Sequence, residues 1–378
     1  MTTRREFIEG AAAAGVASAL VGCSHRQPIL AAAPPPLPVE QVTGLGSLKV
    51  HAAQRGFLYG CAVSAKLLAS DEAYTQLIRE QANIVVAENA MKWGPLRPTI
   101  DTYTFEDADA LVAFAEKNRM KVRGHNLCWH RQLPVWFADQ ATTANARGLL
   151  QAHIRQVVGR YAGRMHSWDV VNEAILTTDG RADGLRDSPW LQLVGADYIE
   201  QAFQTARATD PQALLTYNDF GIEGENPASE SKRTAVLVML RRLKARHVPI
   251  DAVGIQAHIT AGHTYGPGLT GFIAAVRGMD LQVFLTEMDV NDREWPAVDE
   301  IRDKVVADCY GSFLDTALAD ASVRAVLTWG ITDRSTWLNS ESARQDHLPE
   351  RCLPFDRDGK PKKAFFAMRD SFDKRRMG

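Results

Sequence analysis

Two glutamates stand where short apolar segments give way to polar residues. Glu173 ends the motif WDVVNE at 168–173, and Glu287 follows the β-branched segment 282–286. Two carboxyl groups brought to one site can act as general acid and base, or as acid and nucleophile. In glycoside hydrolysis one such group protonates the leaving oxygen while the other faces the anomeric carbon. The pair therefore predicts an enzyme that cleaves glycosidic bonds.

The rest of the chain predicts a fold that would bring the two glutamates together. After residue 48, short apolar segments alternate with longer amphipathic ones, as expected of βα units around a parallel sheet. Eight units in about 320 residues match one closed barrel. We predict an α/β protein with a single (β/α)8 TIM barrel over residues 49–378. The predicted strands are 57–63, 83–87, 121–127, 167–171, 213–217, 252–256, 282–286 and 325–329, and helical spacing marks 108–119, 146–161, 198–209 and 230–246.

Polar and aromatic residues gather at the predicted strand ends, where active sites of this fold form. A single strand-end carboxylate is more often a helix cap or an ion-pair partner, so the prediction depends on the whole set. Strands four and seven lie across the barrel, which would leave about 5 to 5.5 Å between the carboxyl groups, as in retaining enzymes. The neighbouring Trp129, Trp329 and Trp337 offer faces on which sugar rings can stack.

These segments resemble family 10 glycoside hydrolases, the xylanase family. The resemblance starts near residue 50 and covers nearly all of the remaining chain. It implies retaining endo-hydrolysis of β-1,4-xylosidic linkages, with xylan and xylo-oligosaccharides as ligands and no cofactor. The matching motifs are AENAMKW at 87–93, RGH at 123–125, WH at 129–130, WDVVNE at 168–173, GIQAH at 254–258, TEMD at 286–289 and TWGITD at 328–333.

The resemblance also implies a role for each matching residue. Glu173 would be the acid/base, Glu287 the nucleophile, and Asn172 would contact the 2-hydroxyl of the sugar that is cleaved. His258 would hydrogen-bond Glu287 with Asp289 behind it, which keeps the nucleophile ionised. The other implied substrate contacts are Glu88, Asn89 and Lys92 for the next xylose on the non-reducing side, and His125, Gln256, Trp129, Trp329 and Trp337 for the cleavage subsite.

Three positions leave alternatives open. Lys92 is equally explained as an ordinary ion-pair partner. Phe220 stands where the family often has Tyr, which removes a hydroxyl donor and puts one contact to the leaving side of the substrate in doubt. The segment 338–353 carries six charged side chains, and we expect their charge to shape tolerance of acidic side groups on xylan.

Composition excludes several other classes of protein. The 378 residues contain 43 Lys and Arg against 45 Asp and Glu, with no basic run interleaved with aromatics, so nucleic-acid binding is not predicted. No C-x-x-C or H-E-x-x-H motif supports a metal site. Cys61 and Cys128 fall inside apparent core strands, where buried free thiols are expected, and no disulfide is predicted.

The N-terminal segment resembles an export signal and predicts no fold element. Arg4 and Arg5 precede a short Ala/Gly-rich apolar run, as in twin-arginine signals, and LVGC at 20–23 resembles a lipobox whose Cys23 would be lipidated. We expect residues 1–22 to be removed and 23–48 to form a Pro-rich tether, in a monomer located in the periplasm or cell envelope, or secreted. An ordinary signal peptide cut near 31–33 is the alternative.

Two other functions compete with the one implied. A retaining barrel enzyme acting on β-1,4-glucan or mannan would share Glu173 and Glu287, and rates on the three polysaccharides would separate these activities. A non-catalytic glycan-binding lipoprotein would require one of these carboxylates to be replaced. Both are present, which favours an enzyme.

Overall fold

Residues 41–376 of the protein are described by a computed structural model. The predicted signal, Cys23 and most of the predicted tether lie outside this part of the chain. The described part alternates strands and helices along its length. Its strands are β1 Leu58–Val63, β2 Ile84–Ala87, β3 Lys121–His125, β4 Ser167–Asn172, β5 Leu214–Asp219, β6 Ala252–Ile255, β7 His258–Thr260, β8 Gln282–Asn291 and β9 Val323–Thr328.

Helices fill the connections between the strands. Some begin at side-chain caps: Asp71 accepts a hydrogen bond from the backbone N–H of Tyr74, and Asn226 from that of Ser229. The helices are α1 Leu48–Gln54, α2 Ala65–Ser70, α3 Glu72–Gln81, α4 Trp93–Leu96, α5 Glu106–Lys117, α6 Val135–Gln140, α7 Ala146–Arg160, α8 Pro189–Val194, α9 Tyr198–Thr209, α10 Pro227–Ala245, α11 Pro267–Arg277, α12 Asp299–Ala317, α13 Leu338–Glu341 and α14 Lys363–Lys374.

Eight of the strands close into a barrel. Neighbours pair in parallel from β1 through β6, then β6 pairs with β8, β8 with β9, and β9 with β1. Strand β7 pairs only with the end of β8. The predicted single TIM barrel is thus confirmed, and the predicted helix 198–209 coincides with α9.

The largest departure from the predicted strands is at the seventh barrel strand. It was expected to end at residue 286, but β8 continues to Asn291 because its second half pairs with β7. Cys128 also departs from expectation, since it lies three residues beyond β3 and not inside a strand. It is nevertheless buried, as are Cys61, Cys309 and Cys352, and all four are free thiols.

Apolar side chains pack both inside the barrel and between its strands and helices. The interior includes Ile84, Val86, Phe284 and Leu327, all buried. The outer layer packs the opposite faces of the strands against the helices, and α14 packs against α12 and α1. Within residues 41–376, no helix combines the length and apolar character that a membrane span requires.

Candidate active site

A cleft of about 760 Å³ lies at the C-terminal ends of the barrel strands. Both of the glutamates singled out in the sequence line it, and so do all of the predicted substrate contacts. Asp289 lies behind this surface, as expected. The lining residues predicted from the sequence are Glu88, Asn89, Lys92, His125, Trp129, Asn172, Glu173, Gln256, His258, Glu287, Trp329 and Trp337.

Glu287 is a buried carboxylate surrounded by donors. Asn218 Nδ2 donates to its Oε1 at 2.7 Å, and His258 Nε2 lies 3.3 Å from its Oε2. His125 Nδ1 lies 4.0 Å from Oε1. Burial by itself would raise the pKa of Glu287, but His125, His258 and the Asn218 amide outweigh it and lower the pKa to about 2. The group is therefore ionised at neutral pH.

Asn218, at the end of β5, owes its position to Thr286 on β8 and Gly254 on β6. Thr286 donates to its Oδ1 at 2.6 Å, which directs the amide nitrogen toward Glu287. Gly254 on β6 makes room for it, because a Cβ at that position would lie 2.1 Å from Asn218 Oδ1. Sequence analysis noted Asn218 only as a polar strand end, although its placement beside Glu287 makes it part of the site.

Glu173 follows β4 in a left-handed backbone conformation, with φ of 56°. Gln256 Nε2 donates to its Oε1 at 3.1 Å, and Asn172 Nδ2 lies 3.3 Å from the same oxygen. Burial raises the pKa of Glu173, and the negative charges of Asp219 and Glu287 add to this increase. Hydrogen bonds from Trp129 and Gln256 lower the pKa but do not cancel the increase. The two buried glutamates thus have pKa values shifted in opposite directions.

A chain of amides connects the two carboxyl groups. Asn218 donates to Asn172 Oδ1 at 2.8 Å as well as to Glu287, and Asn172 in turn contacts Glu173. Because each amide orients the next, a shift of one carboxyl group would disturb the other. The predicted separation of the carboxyl groups remains a prediction.

His258 connects Glu287 to a second layer of side chains. Its Nδ1 lies 2.9 Å from Asp289 Oδ1, and Trp337 Nε1 donates to Asp289 Oδ2 at 2.7 Å. Burial disfavours a charged imidazole, but Asp289 and Glu287 prevail and hold the pKa of His258 well above its usual range. Glu287 and Asp289 are two apart on β8, so their side chains emerge on the same face. The extension of β8 past its predicted end therefore places both next to His258.

A buried ion pair between Arg123 and Asp169 contacts His125. His125 Nδ1 lies 3.0 Å from Asp169 Oδ2, and Asp169 also pairs with Arg123. Arg123 and Asp169 are almost completely buried in the barrel interior. Such a pair contributes little net stability but fixes the orientation of the groups it bonds. Sequence analysis did not assign either residue, although RGH at 123–125 includes Arg123.

Lys92 lies in the cleft, and no described carboxylate is within ion-pair distance of its ammonium. Its Nζ donates to Asn89 Oδ1 at 3.0 Å and lies 5.2 and 5.6 Å from the ring centroids of Trp129 and Trp329. Burial lowers its pKa, and the negative charges of Glu287 and other cleft carboxylates counteract that effect. The ion-pair alternative for Lys92 is therefore not favoured among the described residues.

The charges of segment 338–353 were expected to shape tolerance of acidic side groups on xylan, but most of these side chains do not line the cleft. Arg344 is buried and pairs with Asp346, while Arg351 pairs with Asp303 on α12. Both arginines are therefore neutralised by carboxylates of the protein itself. Glu341 alone among the six lines the cleft, where its Oε2 lies 3.5 Å from Arg131.

Phe220 lies at another part of the cleft wall. Its side chain is 37% exposed, and the Lys232 ammonium lies 4.0 Å from its ring centroid. Lys232 also donates to the buried Asp219 at 2.7 Å. The aromatic face is thus retained where the family often has Tyr, without the hydroxyl group.

Seven further lining residues were not assigned a role from the sequence: His130, Arg131, Gln132, Arg186, Ser335, Thr336 and Ser340. Gln132 and His130 adjoin Trp129 in the segment after β3, so their position in that motif was a usable signal. Arg186 had no such signal, because it reaches the cleft from a segment 13 residues beyond Glu173. Within residues 41–376, no cluster of three or more His, Cys, Asp or Glu side chains is arranged to hold a metal ion.

Known proteins are similar to this chain in both sequence and architecture. Endo-1,4-beta-xylanase B of Thermotoga neapolitana is 33% identical over 307 residues, which cover 80% of this chain and 84% of that protein. Endo-1,4-beta-xylanase C of Paenibacillus barcinonensis is 34% identical over 83% of this chain, but the match spans only 30% of that longer protein.

A solved structure extends the similarity to three dimensions. Xylanase 10B from Thermotoga petrophila RKU-1, in complex with xylobiose, is 33% identical with a TM-score of 0.78, over 87% of this chain and 97% of that one. The family model for glycosyl hydrolase family 10 matches residues 47–371. The match spans the whole barrel and every residue of the cleft, and the chain belongs to glycosyl hydrolase family 10.

Proposed function

We propose that this protein is an endo-β-1,4-xylanase that hydrolyses xylan with retention of anomeric configuration. The observation that carries the proposal is the pair of buried glutamates in one cleft, Glu287 with a pKa lowered to about 2 and Glu173 with a raised pKa. Opposite pKa shifts favour one ionised and one protonated carboxyl group, which is what a retaining glycosidase needs at the start of its cycle. Membership of family 10 supports the choice of xylan.

In the first step, ionised Glu287 attacks the anomeric carbon while Glu173 gives its proton to the departing glycosidic oxygen. The bond between sugar and leaving group breaks as the bond to Glu287 forms. Asn218 and His258 hold Glu287 by both oxygens and keep it ionised. We assign Asn172, which contacts Glu173 and Asn218, to the 2-hydroxyl of the sugar being cleaved.

In the second step, Glu173 acts as base. It takes a proton from water, whose oxygen attacks the anomeric carbon and releases Glu287. Two displacements at the same carbon return the original anomer. Glu173 finishes protonated, so the enzyme is ready for another cycle.

The remaining lining residues divide into sugar-stacking and hydrogen-bonding groups. Trp129, Trp329 and Trp337 present aromatic faces around the cleavage subsite, with His125 and Gln256 beside them. We assign Glu88, Asn89 and Lys92 to the neighbouring xylose on the non-reducing side. The bound xylobiose in the Thermotoga petrophila relative supports a site for short xylose chains.

Product analysis tests this proposal most directly. We expect xylan to yield a mixture of short xylo-oligosaccharides at early times, with much lower rates on cellulose and mannan. Proton NMR of a cleaved xylo-oligosaccharide should show the β-anomer first. An initial α-anomer would exclude retention, and a higher rate on cellulose or mannan would exclude xylan as the preferred substrate.

We also propose that the protein is a monomer exported and held at the cell envelope through lipidated Cys23. The support is the sequence alone: paired Arg4 and Arg5, the lipobox-like LVGC at 20–23, and the Pro-rich segment 34–38 after it. A tether of this kind would hold the barrel away from the membrane while leaving its cleft open to a polymer.

Detergent phase partitioning of the native protein tests the anchor. The wild type should enter the detergent phase, and the matched variant Cys23→Ala should remain in the aqueous phase. Mass spectrometry of the mature N-terminus should find a lipidated Cys23. A wild-type N-terminus beyond residue 23, together with aqueous partitioning, would contradict the anchor. Sedimentation of the barrel domain would test the monomer.

A further inference from the structure

Two buried side-chain nitrogens beside Glu173 have no hydrogen-bond partner. They are His130 Nδ1 and Arg186 Nη2. They lie 3.8 and 3.9 Å from Glu173 Oε2, just beyond hydrogen-bond range. An unpaired buried polar atom costs about 1–3 kcal/mol, so two such atoms beside one carboxyl oxygen require an explanation.

Arg186 holds the backbone of Glu173 as well as facing its carboxyl group. Its Nε donates to the Glu173 carbonyl at 2.7 Å, and its own N–H donates to the Ala174 carbonyl at 2.7 Å. Glu173 has a φ of 56°, which costs a residue with a Cβ roughly 1 kcal/mol and persists only when its surroundings enforce it. The Asn218 carbonyl accepts a hydrogen bond from the Glu173 N–H at 2.8 Å and also helps to hold the backbone of Glu173 in this conformation.

The two carboxyl oxygens of Glu173 have different surroundings. Oε1 accepts from the Gln256 amide and faces that of Asn172, which favours a carbonyl-like oxygen there. Oε2 is thus left to carry the proton and faces His130 and Arg186. When the proton leaves, the negative charge appears on the oxygen that the unpaired nitrogens already surround.

Arg186 is the one permanent cation within 4 Å of this carboxyl group among the described residues. His130 carries no charge at neutral pH, since burial and the nearby Arg186 lower its pKa to about 3. The other charged groups that act on Glu173, or on His130 beside it, are Asp219 with its partner Lys232, Glu287, Lys92, Arg131 and Asp179.

We propose that Arg186 is a positioning residue that fixes Glu173 through its backbone and stabilises the ionised carboxylate between the two steps. The proposal rests on the acid/base role proposed for Glu173. While Glu173 is protonated, Arg186 Nη2 stays unpaired. After the proton has passed to the leaving oxygen, Nη2 moves about 1 Å closer and donates to Oε2. The carboxylate then survives until it takes a proton from water.

Two substitutions separate the charge of Arg186 from its size and backbone contact. Arg186→Gln removes the charge, while Arg186→Lys keeps it and loses the forked donors. Arg181→Gln is a matched control in the same segment, because Arg181 is exposed and pairs with Asp183. Arg186→Met serves as a second uncharged variant if Arg186→Gln does not fold. Thermal unfolding establishes that each variant is folded.

Carboxyl ¹³C NMR of glutamate-labelled protein, with Glu173→Gln for assignment, reports the titration of Glu173. The pH profile of kcat/KM on an activated aryl xylobioside reports the same ionisation in turnover. We expect the uncharged variant to raise both the titration midpoint and the basic limb by about 0.5–1 pH unit, with Arg186→Lys and the control close to wild type. Both Arg186 variants should lose part of kcat, because each loosens the Glu173 backbone.

An unchanged titration in Arg186→Gln would overturn the proposal, and so would an equal shift in Arg186→Lys, since either result leaves Arg186 with a purely structural role. The NMR titration needs no turnover. A wild type that fails to cleave xylan would therefore count against the proposed function and leave the test of Arg186 intact.

Discussion

Glu173 and Glu287 are the same residue type in the same cleft, and both are almost fully buried. Their surroundings nevertheless shift their pKa values in opposite directions. Glu287 is held between two imidazoles and the Asn218 amide, which lower its pKa to about 2. Glu173 is affected by two other carboxylates, which add to burial and raise its pKa. The comparison shows that burial alone does not set protonation, because the partners inside the barrel decide which carboxyl group keeps its proton.

The largest difference between the two groups should appear when each side chain is removed. Glu287→Ala should abolish turnover of every substrate, by more than about 10⁴-fold, since no other group can form the covalent bond to the anomeric carbon. Steady-state rates on xylan and on an activated aryl xylobioside measure this. Glu300→Gln, a substitution of an exposed glutamate on α12, is the control. A burst of aryl release from Glu287→Ala would reverse the assignment.

Removal of Glu173 should have an effect that depends on the leaving group. Glu173→Ala should lose about 10² to 10⁴ in rate on xylan, where a sugar hydroxyl needs the proton. An activated aryl group leaves as an anion, so the first step should persist and the covalent intermediate should accumulate. Pre-steady-state aryl release and intact-protein mass detect both. Equal impairment of the first step on the two substrates would contradict the acid/base role.

Glu287 and Glu173 should contribute to the free energy of unfolding with opposite dependence on pH. A lowered pKa means that Glu287 stabilises the fold above the usual glutamate pKa and that this contribution is lost as pH falls toward about 2. A raised pKa means that Glu173 stabilises the fold at low pH and loses that contribution as pH rises. At pH 7, Glu287→Gln should cost about 1–3 kcal/mol, and Glu173→Gln should increase stability by less. Denaturant unfolding measures both, and equal signs would contradict the comparison.

The smallest effect is expected from weakening one partner of Glu287. His258→Gln keeps a hydrogen-bond donor but removes a positive charge, so the acidic limb of kcat/KM should move up by about one pH unit. The basic limb, which belongs to Glu173, should stay in place. Trp337→Phe, which removes the donor to Asp289 and keeps a smaller aromatic ring in the cleft, should move the acidic limb less. An acidic limb unchanged in His258→Gln would mean that another group sets it.

Local patterns in the sequence were sufficient to predict the barrel and a large part of the site. Alternating apolar and amphipathic segments predicted eight βα units, because strand and helix periodicities depend on neighbours along the chain. The motifs around Glu173, Glu287 and Lys92 placed all predicted contacts in one cleft, since parallel strands bring their C-terminal ends to one face of a barrel. Residue type together with strand order therefore determined the barrel fold and the clustering of the predicted contacts in one cleft.

Tertiary structure decided the details that depend on distant partners. Strand β8 continues past its predicted end because β7 pairs with it, and no pattern within 282–291 predicts that pairing. In segment 338–353, Arg344 pairs with Asp346 and Arg351 with Asp303, so the number of charges in the segment did not predict which of them reach the cleft. The opposite pKa shifts of Glu173 and Glu287 likewise arise from side chains far apart in sequence. A pKa depends on distances of a few ångströms, which only the closed barrel establishes.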